Sequence, residues 1–231
     1  MDLPAYVTKD YLVGLALQHG KGNGTPGHRC VIQEIRAWLE LDPSSDEIPP
    51  CVSPIIGRFL IRVNDRFPQD AAGAKMRSEA LAPYLQRVIG TRGTAEVERR
   101  RAWAIADFAV RTLAAEAMER AKLDAQAAAL RGLAPLVDYA AWQVAKPVVE
   151  GVRRDARREA GKRWRKADDA ADAADAYAAA DAYADADAYA AAADAYAAAA
   201  AYWLRRRDTP RYWQTYSANV GRMLEVMLAV R

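Results

Sequence analysis

Hydrophobic residues recur every three or four positions through most of the chain, which is the spacing of an amphipathic helix. One example is the run Val31, Ile32, Ile35, Trp38 and Leu39. The predicted helices cover residues 10–17, 28–41, 54–65, 79–89, 95–131, 136–149 and 212–230. The pattern therefore predicts an all-α, multi-helix bundle with an amphipathic C-terminal helix.

Capping residues place several helix ends. Ser53 followed by Pro54 is a typical helix start, and Thr94 is suited to cap the helix that begins at Ala95. Gly132 and Pro135 predict the end of that helix. Its buried side is predicted to comprise Trp103, Ala106, Val110, Leu113 and Ala117, broadened by Ile105 and Phe108.

A low-complexity block occupies residues 167–202. About two-thirds of it is alanine, and the rest is aspartate and tyrosine. Alanine has the highest intrinsic helix propensity, so we predict a long Ala/Asp/Tyr-rich helix within a rod over 152–207, with Gly161 as its weak point. The copies of Asp-Ala-Tyr form a predicted acidic ladder at Asp175, Asp181, Asp187 and Asp194. Three roles stay open for the block: a retained repeat expansion, a functional acidic surface, or dimerisation.

A basic segment precedes the block. Its candidate binding residues, for a protein partner or for nucleic acid, are Arg153, Arg154, Arg157, Arg158, Lys162, Arg163, Arg165 and Lys166. Arginines four apart lie on one side of a helix, where they could bind phosphates. Pairing with the aspartates or simple solvation explains the same pattern.

The chain has 231 residues and a net charge of +3, which by itself does not indicate a nucleic-acid-binding protein. Its length fits a helical core domain at 1–150, followed by a charged region at 151–231 that packs on the core or on a second copy. Two cysteines and the lack of an apolar signal segment favour a reducing cytoplasm. No membrane association is expected.

The sequence offers little for catalysis. The glycine-rich loop Gly20–Gly27 lacks the arrangement of a phosphate-binding loop, although a small ligand there stays open. His19, His28, Cys30 and Cys51 do not have the usual spacing of zinc ligands. We therefore predict no cofactor, no metal and no enzymatic activity.

Two segments resemble a core found in hypothetical proteins of bacteria and their phages. They are the run Cys51-Val-Ser-Pro-Ile-Ile-Gly-Arg-Phe-Leu60 with Asn64-Asp65, and the run Val88-Ile-Gly-Thr-Arg92 with Arg100-Arg-Ala-Trp103. Those proteins often carry alanine-repeat tails, and some similar chains bear the name of immunity proteins. The resemblance covers about half of the chain and supplies no catalytic residues. It implies a helical protein from a phage–bacterium or toxin–immunity setting, with Asp and Tyr where the relatives' tails more often have Arg or Trp.

These observations predict a non-enzymatic helical binding protein, of immunity or anti-defence type, that neutralises or sequesters a partner. A protein partner or self-association is expected. The first alternative is nucleic-acid binding through the basic helix, and the second is a structural homo-oligomer.

Overall fold

The structure is a computed structural model that describes residues 11, 12, 14–163 and 210–231. The described residues form an all-α fold without β-strands, which confirms the predicted class. They divide into two compact units, Met1–Glu98 with Arg231, and Arg99–Val230. The predicted boundary at residue 150 falls inside a helix, and the division into 1–150 and 151–231 stays a prediction.

Three helices of the first unit, within its described residues, pack against one another: α1 (Val31–Trp38), α2 (Pro54–Arg66) and α3 (Ala71–Val88). Ser53 caps α2 as predicted, because its hydroxyl accepts a hydrogen bond of 3.3 Å from the Ile56 N–H. Asp70 caps α3 in the same way, accepting 2.7 Å from the Gly73 N–H. Helix α3 starts eight residues before the predicted position, since this cap lies upstream of the clearest apolar repeat.

The core of the first unit is made by one side of each helix. Its members include Val31, Ile35, Ile56, Phe59, Leu60, Val63, Leu81 and Leu85. The predicted helix 10–17 is wrong at its C-terminal end, because residues 15–17 are not helical. Leu17 is nevertheless fully buried, and its backbone N–H donates to the Ser78 hydroxyl at 2.9 Å. The Leu17 backbone thus forms its hydrogen bonds with the Ser78 and Arg77 side chains of α3 and not with a neighbouring turn of helix.

In the second unit a long helix changes its winding. Helix α4 (Ala95–Phe108) starts in the first unit and runs into a π-helical segment, Ala109–Ala114, and then into α5 (Ala115–Arg120). Thr94 caps α4 as predicted, its hydroxyl accepting 3.3 Å from the Val97 N–H. The predicted single helix 95–131 is wrong beyond Arg120, because Lys122 adopts a left-handed conformation with φ 63°. Helix α6 (Asp124–Arg131) follows this turn and packs on α5, on the π-helical segment and on α7.

The last two described helices are α7 (Tyr139–Arg163) and α8 (Pro210–Ala229). Helix α8 confirms the predicted amphipathic C-terminal helix. The residues of its fully buried side are Tyr216, Val220, Met223, Leu224 and Met227. The part of the predicted rod after Arg163, including the Ala/Asp/Tyr block, lies outside the described residues. No helix in the described part is long and apolar enough to cross a membrane.

Candidate functional site

Helix α7 presents the most unusual surface of the described residues. Asp138 precedes the helix and caps it, because its carboxylate accepts a hydrogen bond of 2.8 Å from the Ala141 N–H. One side of α7 is buried through Trp142, Ala145, Val149, Val152 and Ala156. These residues recur every three or four positions, so the opposite side of α7 faces solvent.

Exposed apolar residues are concentrated in the first half of α7 and just before it. Four large hydrophobic residues here are exposed: Val137 at 63 %, Tyr139 at 61 %, Val144 at 79 % and Val148 at 39 %. Within the described ranges, every large hydrophobic residue recorded as exposed lies in this stretch. Val144 and Val148 are four residues apart and share one side of α7, and we call these two residues the α7 apolar stripe. Val137 precedes the helix, and Tyr139 is nine residues from Val148 and therefore on the other side of α7. Single exposed hydrophobics are common on soluble proteins, but four within twelve residues indicate a surface for contact.

The second half of α7 is basic. Arg154 and Arg158 are exposed, with side-chain accessibilities of 71 % and 65 %, and Arg153 is half-buried. Arg154 lies 3.9 Å from Glu150, and Arg158 lies 2.8 Å from Asp155. Such exposed intrahelical pairs contribute about 0–1 kcal/mol each, so they hold the arginines only weakly.

The other predicted basic residues are described only in part. The backbone of Arg157, Lys162 and Arg163 belongs to α7, whereas Arg165 and Lys166 lie outside the described residues. The acidic ladder Asp175, Asp181, Asp187 and Asp194 also lies outside them. The structure therefore groups Arg153, Arg154 and Arg158 on α7 and leaves the rest of both predicted surfaces as predictions.

A buried carboxylate that the sequence did not single out lies in the first unit. Glu34 is 1 % exposed and accepts hydrogen bonds from the Tyr11 hydroxyl and, at 2.7 Å, from the Trp38 indole N–H. Arg29 lies 3.6 Å from the same carboxylate. Burial, together with the hydrogen bond to Glu34, raises the pKa of Tyr11 to about 12. The cluster fastens the segment at Tyr11 to α1, and Glu34 has enough partners to be a structural residue.

Two buried arginines were also missed, one in each unit. Arg77 is 1 % exposed and donates to the carbonyl oxygens of Leu17, Asn64 and Pro68 at 2.6, 2.7 and 3.0 Å. Burial lowers the pKa of Arg77, although arginine keeps its charge in proteins. Arg101 is 3 % exposed and donates to the carbonyl oxygens of Met227 and Val230 in the last turn of α8 and just after it. Each guanidinium thus satisfies carbonyl groups at a helix C-terminus, where positive charge is favourable.

A further charged contact joins α5 to α8. Arg222 donates to both carboxylate oxygens of Glu116, at 3.0 and 2.8 Å. Its guanidinium also lies 5.0 Å from the centre of the Phe108 ring. The hydrogen bonds to Glu116 raise the pKa of Arg222. This contact is well made within the protein and holds α8 in place.

The glycine-rich loop is fastened from within the first unit. The Gln33 side-chain oxygen accepts a hydrogen bond from the Gly22 N–H at 2.9 Å, and the Asp65 carboxylate accepts one from the Gly20 N–H at 2.8 Å. The Arg29 guanidinium donates a hydrogen bond to the Gly24 carbonyl oxygen at 2.7 Å. A Cβ atom on Gly22 would lie 1.9 Å from the His28 carbonyl oxygen, so this close approach requires glycine. The described residues include no group of three His, Cys, Asp or Glu side chains that could hold a metal ion.

The fold and this surface define an all-α protein with a helix, α7, whose solvent side carries exposed apolar residues in its first half and arginines in its second. Comparison of the chain with protein-family models, curated proteins and solved structures finds no match to any of them. The resemblance to hypothetical and immunity-type proteins therefore stays a prediction.

Proposed function

We propose that this chain is a non-enzymatic helical binding protein that neutralises or sequesters a protein partner, of immunity or anti-defence type, through the solvent side of α7. The observation that carries the proposal is the α7 apolar stripe together with Val137 and Tyr139, since four large hydrophobic side chains lie exposed on one short stretch of the chain. Burying apolar surface contributes about 25 cal/mol per Å², which makes such a stripe a source of binding free energy.

The side of α7 that faces away from the stripe is packed into the protein, so the position of the helix is fixed before binding. Trp142 and Val149 are 5 % and 2 % exposed, so the helix is anchored over this stretch. A surface on an anchored helix loses less conformational entropy on binding than a loop does.

Nucleic-acid binding is the second candidate, favoured by the exposure of Arg154 and Arg158. Phosphate contacts would make retention of DNA or RNA strongly dependent on salt. The apolar stripe next to these arginines favours a protein partner, because phosphate groups offer nothing to bury against Val144 and Val148.

The test is capture of a partner from the native host with the full chain as bait, compared with the variant Val144→Gln/Val148→Gln. Glutamine has a helix propensity at least as good as that of valine, so the variant should keep its fold. The matched control is Arg62→Gln/Lys75→Gln, a double substitution of exposed helical residues in the first unit, away from α7. We expect a specific protein bound by the wild type and the control and lost with the double variant.

Two results would contradict the proposal. One is a protein bound equally well by wild type and by Val144→Gln/Val148→Gln. The other is capture of nucleic acid alone, lost in Arg154→Ala/Arg158→Ala, which would replace the proposal with the second candidate.

A further inference from the structure

We infer that the partner docked on α7 is an acidic polypeptide helix, which places apolar side chains on the α7 apolar stripe and carboxylates on Arg154 and Arg158. This inference rests on the proposed function and names the chemistry of the partner. It depends on the order of Val144, Gly151 and Arg158 along one side of α7, with Val148 and Arg154 flanking that side.

The order of these residues sets a distance. Val144, Gly151 and Arg158 are spaced by seven residues and therefore lie on nearly the same side of the helix. At about 1.5 Å of rise per residue, Arg154 and Arg158 lie about 15 and 21 Å along the axis from Val144. A helix that runs along α7 must present its carboxylates at a similar distance from its apolar residues.

The arginines have the capacity to bind a second carboxylate. A guanidinium has five N–H donors, and the contacts with Glu150 and Asp155 occupy only part of this set. Over residues 151–163 the chain carries six basic residues against Asp155 and Glu159, so the net charge there is +4. This local positive charge favours an acidic partner over a basic or neutral one and should speed its association.

The absence of a side chain at Gly151, between the two halves, favours a helix as the occupant. Gly151 lies between Val148 and Arg154, and a Cβ atom built on it would meet only the Arg154 guanidinium, at 3.9 Å. No side chain projects from α7 at Gly151, so a second helix can approach the α7 backbone closely there.

The test uses the full chain and synthetic peptides of about 22 residues, long enough to follow α7 for about 33 Å. One peptide carries leucines on one face of its first half and glutamates on the same face of its second half, on an alanine background. A second peptide has the reverse order, so that both directions of docking are sampled. Two matched peptides carry glutamine in place of glutamate.

We expect one of the acidic peptides to bind with a dissociation constant at or below about 100 µM, as measured by fluorescence anisotropy. Its glutamine counterpart should bind at least about tenfold more weakly. Added salt should lower the affinity of the acidic peptide but not that of the glutamine peptide. Arg154→Glu/Arg158→Glu should abolish the preference for glutamate. The control Arg62→Glu/Lys75→Glu reverses two exposed charges in the first unit and should preserve it. Far-ultraviolet circular dichroism should show equal helix content in both variants.

Binding of neither acidic peptide would overturn the inference, as would equal affinity for the glutamate and glutamine peptides. Formation of a homodimer by the protein alone, lost in Val144→Gln/Val148→Gln, would show that a second copy occupies the face and would also overturn it. In each case a host protein whose capture depends on Val144 and Val148 would leave the proposed function intact.

Discussion

Arg101 and Met227 are joined by a buried hydrogen bond, in which the guanidinium Nε donates to the Met227 carbonyl oxygen at 3.0 Å. The same guanidinium donates to the Val230 carbonyl oxygen at 2.9 Å. We expect Arg101→Ala to lower the free energy of unfolding by about 2–3 kcal/mol, because it leaves buried carbonyl groups without a donor. Urea denaturation followed by circular dichroism measures the change.

The control for this prediction is Arg100→Ala. Arg100 is the neighbouring residue in α4 but is exposed, so its removal should change stability by less than about 0.5 kcal/mol. Equal effects of the two substitutions would mean that the cap on α8 does not stabilise the second unit.

Arg101 also shows where sequence reasoning reached its limit. The predicted buried side of α4 included Trp103 and Ala106, but both are only partly buried, whereas Arg101 and Ile105 are buried. The π-helical segment Ala109–Ala114 explains the shift. A π-helix has more residues per turn than an α-helix, so each of its residues rotates by a smaller angle about the helix axis. Leu113 and the residues after it therefore align with Arg101 and Ile105 instead of Trp103. A pattern analysis that assumes 3.6 residues per turn throughout cannot detect this change.

Features that depend on residues close together in the sequence were predicted correctly. The caps at Ser53 and Thr94 and the buried side of α8 were predicted because short-range hydrogen bonds and an unbroken helical repeat determine them. The role of Glu34 could not be predicted in this way. Its partner Tyr11 lies twenty-three residues away, and only the tertiary fold brings the two side chains together.

The stability of the first unit should depend on pH through Tyr11. Its pKa is raised from 10.0 to about 12, so the folded state favours the neutral phenol more than the unfolded state does. The stabilisation is therefore complete below pH 10 and is lost as pH rises from about 10 to about 12. We expect the denaturation midpoint of the wild type to fall more steeply over this range than that of Tyr11→Phe.

An absorbance titration of tyrosinate in the same two proteins provides a direct measure. The difference between them should show one phenol that ionises near pH 12. A difference curve centred at pH 10 would contradict the contact between Tyr11 and Glu34.

Replacing two helical glycines by alanine should change the stability of the protein in opposite directions. A Cβ atom on Gly73 would lie 2.0 Å from the Pro68 carbonyl oxygen, so Gly73→Ala should destabilise the protein by about 1–3 kcal/mol despite the better helix propensity of alanine. Gly151 in α7 has open space, and Gly151→Ala should stabilise the protein by about 0.5–1 kcal/mol. Chemical denaturation of both variants is the measurement, and a stabilised Gly73→Ala would contradict the close approach to Pro68.

The contact between Arg222 and Glu116 should be stronger than an ordinary surface ion pair. The two parallel hydrogen bonds and the Phe108 ring match the planar guanidinium, and lysine cannot reproduce that geometry. We expect Arg222→Lys to cost about 1–2 kcal/mol, although its charge is unchanged. A double-mutant cycle of Arg222→Met with Glu116→Gln should give a coupling energy near 1 kcal/mol, on the order found for residues in direct contact.

The pair Lys75 and Glu79 is the matched comparison for this cycle. It is an ion pair within one helix, its atoms are 3.7 Å apart and its side chains are 76 % and 65 % exposed. Its coupling energy should be below about 0.5 kcal/mol and should vanish in high salt. Since the Arg222 contact adds hydrogen bonds and ring stacking to the charge, much of its coupling should survive the same salt. Equal couplings for the two pairs would mean that Arg222 is an ordinary surface cation and that apolar packing alone holds α8 on α5.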